Sequence, residues 1–141
     1  VAPCGPVYQA GTLSGNPVAM AAGLAQLHYL KDHPEVYTDI GGKGKWLAEA
    51  MRAAAKRHGL PVVVNQVESL LSPFFTGQAV EDLPGAQTSD LSRYANYFAG
   101  MLQRGVALAP AQFEAMFVSA AHTEEQLEAT VQAADAVFAG L

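Results

Sequence analysis

Pro61-Val62-Val63-Val64-Asn65-Gln66-Val67, then Glu68, then Ser69-Leu70-Leu71-Ser72-Pro73-Phe74-Phe75-Thr76: this run decides the fold. Its first half is rich in β-branched valine and reads as a strand. Its second half reads as the partner strand. So short a gap leaves room for a turn but not for a crossover helix, so the two strands pair antiparallel. Pro73 has no backbone N–H to give to a ladder, which predicts an edge position or a bulge for the second strand.

Upstream of this hairpin the chain reads as helix. Asn16-Pro17 predicts a start, because Asn caps free N–H groups and Pro suits the first helical position. The apolar run from Val18 to Leu30 predicts a helix buried on most sides, broken at Asp32-His33-Pro34. A second helical pattern runs from Pro34 to His58, with Trp46, Leu47, Ala50, Met51, Ala54 and Ala55 at helical spacing. Gly41, Gly42 and Gly44 each weaken it by about 1 kcal/mol against Ala, leaving either a break or one tolerant helix. Gly59 is its natural stop.

Downstream, residues 77–88 read as a polar loop. A helix over Ser89–Arg104 follows, with Leu91, Ala95, Phe98 and Leu102 on one face and Gly105 at its end. Short strands are expected at Val106–Ala109 and Met116–Ala120. Thr123-Glu124-Glu125-Gln126 is a capping box, and Leu127, Val131, Ala134, Phe138 and Leu141 mark a last amphipathic helix. Helices flanking adjacent short strands predict an α+β fold: a small antiparallel sheet with helices packed on one face.

The chain has 141 residues, half of them hydrophobic and 15% charged, with a net charge of -5. That is the size of one domain or part of a larger one, and it is too apolar for intrinsic disorder. One cysteine, Cys4, excludes a disulfide scaffold and reads as an inert thiol. Eight scattered Lys and Arg residues in an acidic chain predict no nucleic-acid partner. The longest apolar stretch, Val18–Leu24, falls short of the roughly 20 residues that span a membrane. With no leader pattern or N-x-[ST] site either, the expectation is a cytoplasmic protein without a membrane partner. The chain opens on Val1 rather than Met, which predicts processing or excision from a longer chain.

Most chemistry-bearing residues read as structural. His28, His33, His58 and His122 share no metal spacing, so no metal site is expected. Gly41-Gly42-Lys43-Gly44-Lys45 fails the phosphate-loop pattern, since Asp39 stands where its first glycine belongs and Trp46 follows Lys45. Glu124 and Glu125 suit a helix's first turn. One segment stands apart, Tyr8-Gln9-Ala10-Gly11-Thr12-Leu13-Ser14-Gly15-Asn16-Pro17. Gly11 lets the backbone approach a ligand, Thr12 offers a hydroxyl and an N–H, and a helix start follows. The place suits a phosphate; helix capping is the competing reading.

The run Gly5-Pro6-Val7-Tyr8-Gln9-Ala10-Gly11-Thr12-Leu13-Ser14-Gly15-Asn16-Pro17, with Ala19-Met20-Ala21-Ala22-Gly23, resembles the glutamate-1-semialdehyde 2,1-aminomutase family. These are fold type I pyridoxal-phosphate enzymes related to the class-III aminotransferases. The likeness continues at Val62–Asn65, Phe74-Phe75-Thr76, Leu108-Ala109-Pro110, Phe113-Glu114-Ala115 and Ala121–Glu125. Leu13 and Ser14 favour the aminomutase, because the related aminotransferases usually carry Gly-Thr-Phe-Gly-Gly-Asn-Pro at the loop.

The resemblance implies a C-terminal portion of such an enzyme. Residues 1–15 would form a cofactor-phosphate and dimer loop, 16–33 a linking helix, and 34–141 the small domain. The cofactor would be pyridoxal 5'-phosphate, alternating with pyridoxamine 5'-phosphate, and the substrate glutamate 1-semialdehyde. Gly11 and Thr12 match the loop that contacts the cofactor phosphate across a homodimer, and Glu114 matches a glutamate facing the active site. The family's cofactor-binding lysine lies before the region matching Val1, and none of Lys31, Lys43, Lys45 or Lys56 matches it, so the chain alone is expected to be inactive. Met116 stands where the family's Phe-Glu-Ala-Gly-Phe has Gly, and Glu68-Ser69-Leu70 departs from a glycine-rich stretch. A class-III ω-aminotransferase and a non-catalytic binding or dimerisation module remain the alternatives.

Overall fold

A computed structural model describes residues 1–141, in two compact units, Val1–Glu35 and Val36–Leu141. No helix is long and apolar enough to cross a membrane.

The first unit is a loop and one helix, α1 (Pro17–Asp32). Asn16 caps it as expected, its Oδ1 accepting from the N–H groups of Val18 at 3.0 Å and Ala19 at 3.2 Å. The expectation of burial on most sides is overturned, because no α1 residue is buried. Val18, Met20, Leu24, Leu27 and Tyr29 are all exposed. An apolar helix buries itself only against a second element, and this unit contains none.

The second unit begins one residue into α2 (Glu35–Arg57), one unbroken helix through its three glycines. Gly41 and Gly44 are buried. A Cβ on Gly44 would strike the Glu68 carbonyl and come within 3.0 Å of the Ser69 Cα. The glycines thus let α2 lie against the hairpin turn, and that packing offsets their poor propensity. Leu47, Met51, Ala54 and Ala55 face the core as predicted, whereas Trp46 is exposed.

The hairpin pairs β1 (Val63–Val67) with β2 (Leu70–Phe74) antiparallel, Val64 opposite Pro73 and Val67 opposite Leu70. Glu68, in the turn, has φ 50°. β3 (Met116–Phe117) joins the other side of β2 opposite Leu70 and Leu71, giving the order β1-β2-β3. The edge position expected for the Pro73 strand is therefore wrong, since β2 is central. Its cause is nonetheless visible: β3 is too short to reach Pro73, whose carbonyl instead accepts from Gln112 Nε2 at 2.7 Å. β1 is an edge, and Arg52 donates from Nε and Nη2 to its Val64 carbonyl.

Residues 77–88 contain a one-turn helix, α3 (Leu83–Ala86), capped by Asp82. Val80 and Ala86 pack with Phe74 and Val63 in a small cluster, and Asn65 Nδ2 donates to the Val80 carbonyl at 2.7 Å. α4 (Leu91–Gln103) begins at the Asp90 cap and buries Tyr94, Tyr97 and Met101. This face is rotated from the predicted one: Leu91 and Leu102 are exposed. The strand expected at Val106–Ala109 does not form, and its Ala109 carbonyl accepts from the Tyr94 hydroxyl at 2.6 Å. The strand expected over Met116–Ala120 shortens to β3, after which the Val118 N–H reaches the Ser69 carbonyl at 2.9 Å.

α5 (Glu124–Phe138) starts with the predicted capping box, Thr123 and Gln126 bonding each other's backbone N–H. The main core joins Leu47, Met51, Val64, Leu71, Phe75, Tyr97, Met101 and Phe138 among others. Phe75 meets Tyr97 at 5.4 Å, and Tyr97 stacks on Phe138 at 5.4 Å. The α+β expectation holds: α2, α4 and α5 cover one face of a three-stranded antiparallel sheet.

Candidate functional site

The Tyr8–Asn16 loop turns tightly. The Ser14 N–H donates to the Gly11 carbonyl at 2.9 Å, and the Asn16 N–H to that of Leu13 at 3.0 Å. A Cβ on Gly11 would fall 2.6 Å from Ser14 Oγ, a contact that the serine side chain can relieve by rotating. The backbone N–H groups of Gly11, Thr12 and Leu13 and the Thr12 hydroxyl find no acceptor within the chain, and all three residues are exposed. Asn16 caps α1, and Thr12 takes no part in the cap. The unengaged donors are those of the loop rather than the first N–H groups of α1.

Such a cluster of N–H groups with one hydroxyl suits an anionic phosphate. The residues present fit that portion of pyridoxal phosphate, and none of the chain's lysines lies in this loop. Cys4 is a free, exposed thiol in the same unit.

Glu114 lies in the second unit, on the segment entering β3. Its side chain is exposed and makes no hydrogen bond or ion pair, while its carbonyl accepts from Ser72 Oγ at 3.2 Å. The Tyr94 phenol is pushed above its ordinary range, first by burial and then by the negative charge of Glu114. Met116 is accommodated as an ordinary strand residue, opposite Leu71 and packed against the main core.

Sequence reasoning missed three residues around Glu114, namely Ser72, Tyr94 and Gln112. No sequence signal marked them: Gln112 is only 4% exposed, but that burial is set by the tertiary structure. The histidines sit apart: His33 bonds Glu35 at 2.9 Å, His58 bonds Asp135 at 3.0 Å, and His122 accepts from the Ser119 N–H at 3.0 Å. No three His, Cys, Asp or Glu side chains converge.

The fold is that of a segment of the aminotransferases. The β-phenylalanine aminotransferase of Variovorax paradoxus superposes with TM-score 0.79 at 23% identity, over 99% of this chain and 32% of that one. The ω-transaminase of Sphaerobacter thermophilus gives 0.75 at 21%, over 98% and 32%. No family model matches the chain.

In sequence the chain is similar to proteins named glutamate-1-semialdehyde 2,1-aminomutase. It is 53% identical over 135 residues to the protein of that name from Ruminiclostridium cellulolyticum, covering 96% of this chain and 31% of the relative. It is 52% identical over 141 residues to that from Desulfosudis oleivorans, covering 100% and 33%. The chain thus spans about a third of the length of the curated relatives it matches.

Proposed function

We propose that this chain is the C-terminal portion of a pyridoxal-phosphate-dependent aminomutase, an isomerase that moves an amino group from C2 to C1 of glutamate 1-semialdehyde. The product, 5-aminolevulinate, is a tetrapyrrole precursor. The observation carrying this reading is identity of about one half along nearly the whole chain to proteins of that name.

The cofactor, when bound, supplies the electron sink for making and breaking bonds at carbons bearing amino groups. Gly11 and Thr12 would hold its phosphate through loop N–H groups and the Thr12 hydroxyl. Glu114 would present a carboxylate to the reacting region and tune its charge, without a step that depends on it alone. The lysine that acts as base would come from upstream in the longer protein.

The working form would be a cytoplasmic homodimer, the loop of one subunit serving its partner's cofactor. The exposed apolar residues of α1 support such further contacts. No nucleic acid or membrane enters this scheme.

The test is the purified full-length enzyme with glutamate 1-semialdehyde and no added amino acceptor. Stoichiometric 5-aminolevulinate is expected. Turnover only with a second amino donor or acceptor would reassign the chain to an ω-aminotransferase, and absence of both activities would favour a binding module.

A further inference from the structure

We infer that Gln112 and Ser72 are the positioning residues for Glu114, an inference that rests on the reading of Glu114 as part of the site. β3 pairs with β2 only at Leu70 and Leu71. The next two residues of β2, Ser72 and Pro73, have no strand beside them on that side. Both are nonetheless engaged, and by the same loop.

The Gln112 side-chain amide donates to the Pro73 carbonyl at 2.7 Å, and the Ser72 hydroxyl donates to the Glu114 carbonyl at 3.2 Å. Pro73 can offer an acceptor here but no N–H, so a backbone ladder cannot continue past it. Gln112 supplies from its side chain the N–H that a longer β3 would have supplied from its backbone. The loop therefore runs on along β2, held by side chains, with residues 112–114 free of strand geometry.

Gln112 is 4% exposed and Pro73 is buried, so their bond is shielded from water, and breaking it leaves a bare carbonyl in the interior. The Glu114 carboxylate, by contrast, has no partner of its own within the chain. Its position is set through the backbone, and the two bonds bracket it, one two residues before it and one at its own carbonyl.

The test is a double-mutant cycle in the full-length enzyme with Glu114→Gln as the reference. Gln112→Met and Ser72→Ala should each lower kcat by about tenfold, with KM unchanged within about twofold. Ser72→Thr, which keeps the hydroxyl, should restore most of the loss. In the Glu114→Gln background neither change should lower kcat further. In cofactor-free protein, Gln112→Met should speed amide hydrogen exchange at Met116 and Val118, the nearest hydrogen-bonded amides of this segment, by about tenfold, with β1 exchange unchanged.

Losses that add in the Glu114→Gln background, or exchange rates that do not change, would overturn the positioning role. Wild-type kcat in Gln112→Met and Ser72→Ala beside a crippled Glu114→Gln would overturn it alone. A silent Glu114→Gln would bring down the reading of the site as well. Should Gln112→Met fail to fold, Ser72→Ala carries the same cycle from a less buried position.

Discussion

Tyr97 sits in the middle of the main core, fully buried, and its hydroxyl has no hydrogen-bond partner. Burial, and then Tyr94, push its phenol far above the ordinary range. An unpaired buried hydroxyl costs about 1–3 kcal/mol. Tyr97→Phe keeps the stack on Phe138 and should therefore raise stability by about 1 kcal/mol in urea unfolding; a fall would show that the hydroxyl contributes. Glu68 raises a second question of strain. Its φ of 50° belongs to the left-handed region that favours glycine. Glu68→Gly should stabilise by about 1 kcal/mol and Glu68→Val should destabilise, measured the same way. If Glu68→Gly unfolds more easily, the Glu68 carboxylate beside Gly41 outweighs the strain. Thr12 belongs at this scale too. Its hydroxyl bonds nothing within the chain, so Thr12→Val should change stability by under about 0.5 kcal/mol. In the full-length enzyme the same change should weaken pyridoxal-phosphate binding by about 10- to 100-fold, read as a Kd. A lowered melting temperature with an unchanged Kd would return Thr12 to a structural role.

Among the elements, α2 and α5 are tied at their ends by Asp135. Its Oδ1 accepts from Arg57 Nη2 at 2.7 Å and lies 3.0 Å from His58 Nε2. The hydrogen bond from Arg57, and then that from His58, hold this carboxyl below its ordinary value. Folded protein therefore gives up the proton more readily than unfolded protein. The resulting stabilisation is present at pH values above the ordinary carboxylate range and is lost as pH falls through and below it. The pair is exposed, so the effect is modest. Asp135→Asn should lower the urea midpoint at pH 7 and leave it nearly unchanged near pH 2; an equal deficit at both would deny the charge a role. Legibility also differs from element to element. The α5 capping box and the Asn16 cap of α1 depend on neighbours three residues away and are plain in the chain. The α4 face was misread because two apolar rows adjoin there. Phe75 and Phe138 select Tyr94, Tyr97 and Met101 over Leu91 and Leu102, a choice made by partners distant in sequence.

Across the whole molecule, both buried clusters draw only on residues after Glu35. α1 contributes no buried residue. A chain of residues 36–141 should therefore keep its urea midpoint and its far-ultraviolet signature, apart from the lost helix of the first unit. A collapse of cooperative unfolding on this truncation would show that residues 1–35 support the core.

Local chemistry made the hairpin, the helix caps and the glycine-bearing loop readable from the chain alone, since each depends on residues within a few positions of one another. The likeness of the chain to the aminomutases was readable as well. Three things depended on tertiary structure: the central place of the Pro73 strand, the missing strand at Val106–Ala109, and the grip of Gln112 and Ser72 on the loop that carries Glu114. The first and third are set by residues about 40 positions apart meeting across β2, and the second shows in the Ala109 carbonyl, which accepts from Tyr94 on α4 instead of a strand partner; over such separations periodicity and local propensity carry no signal.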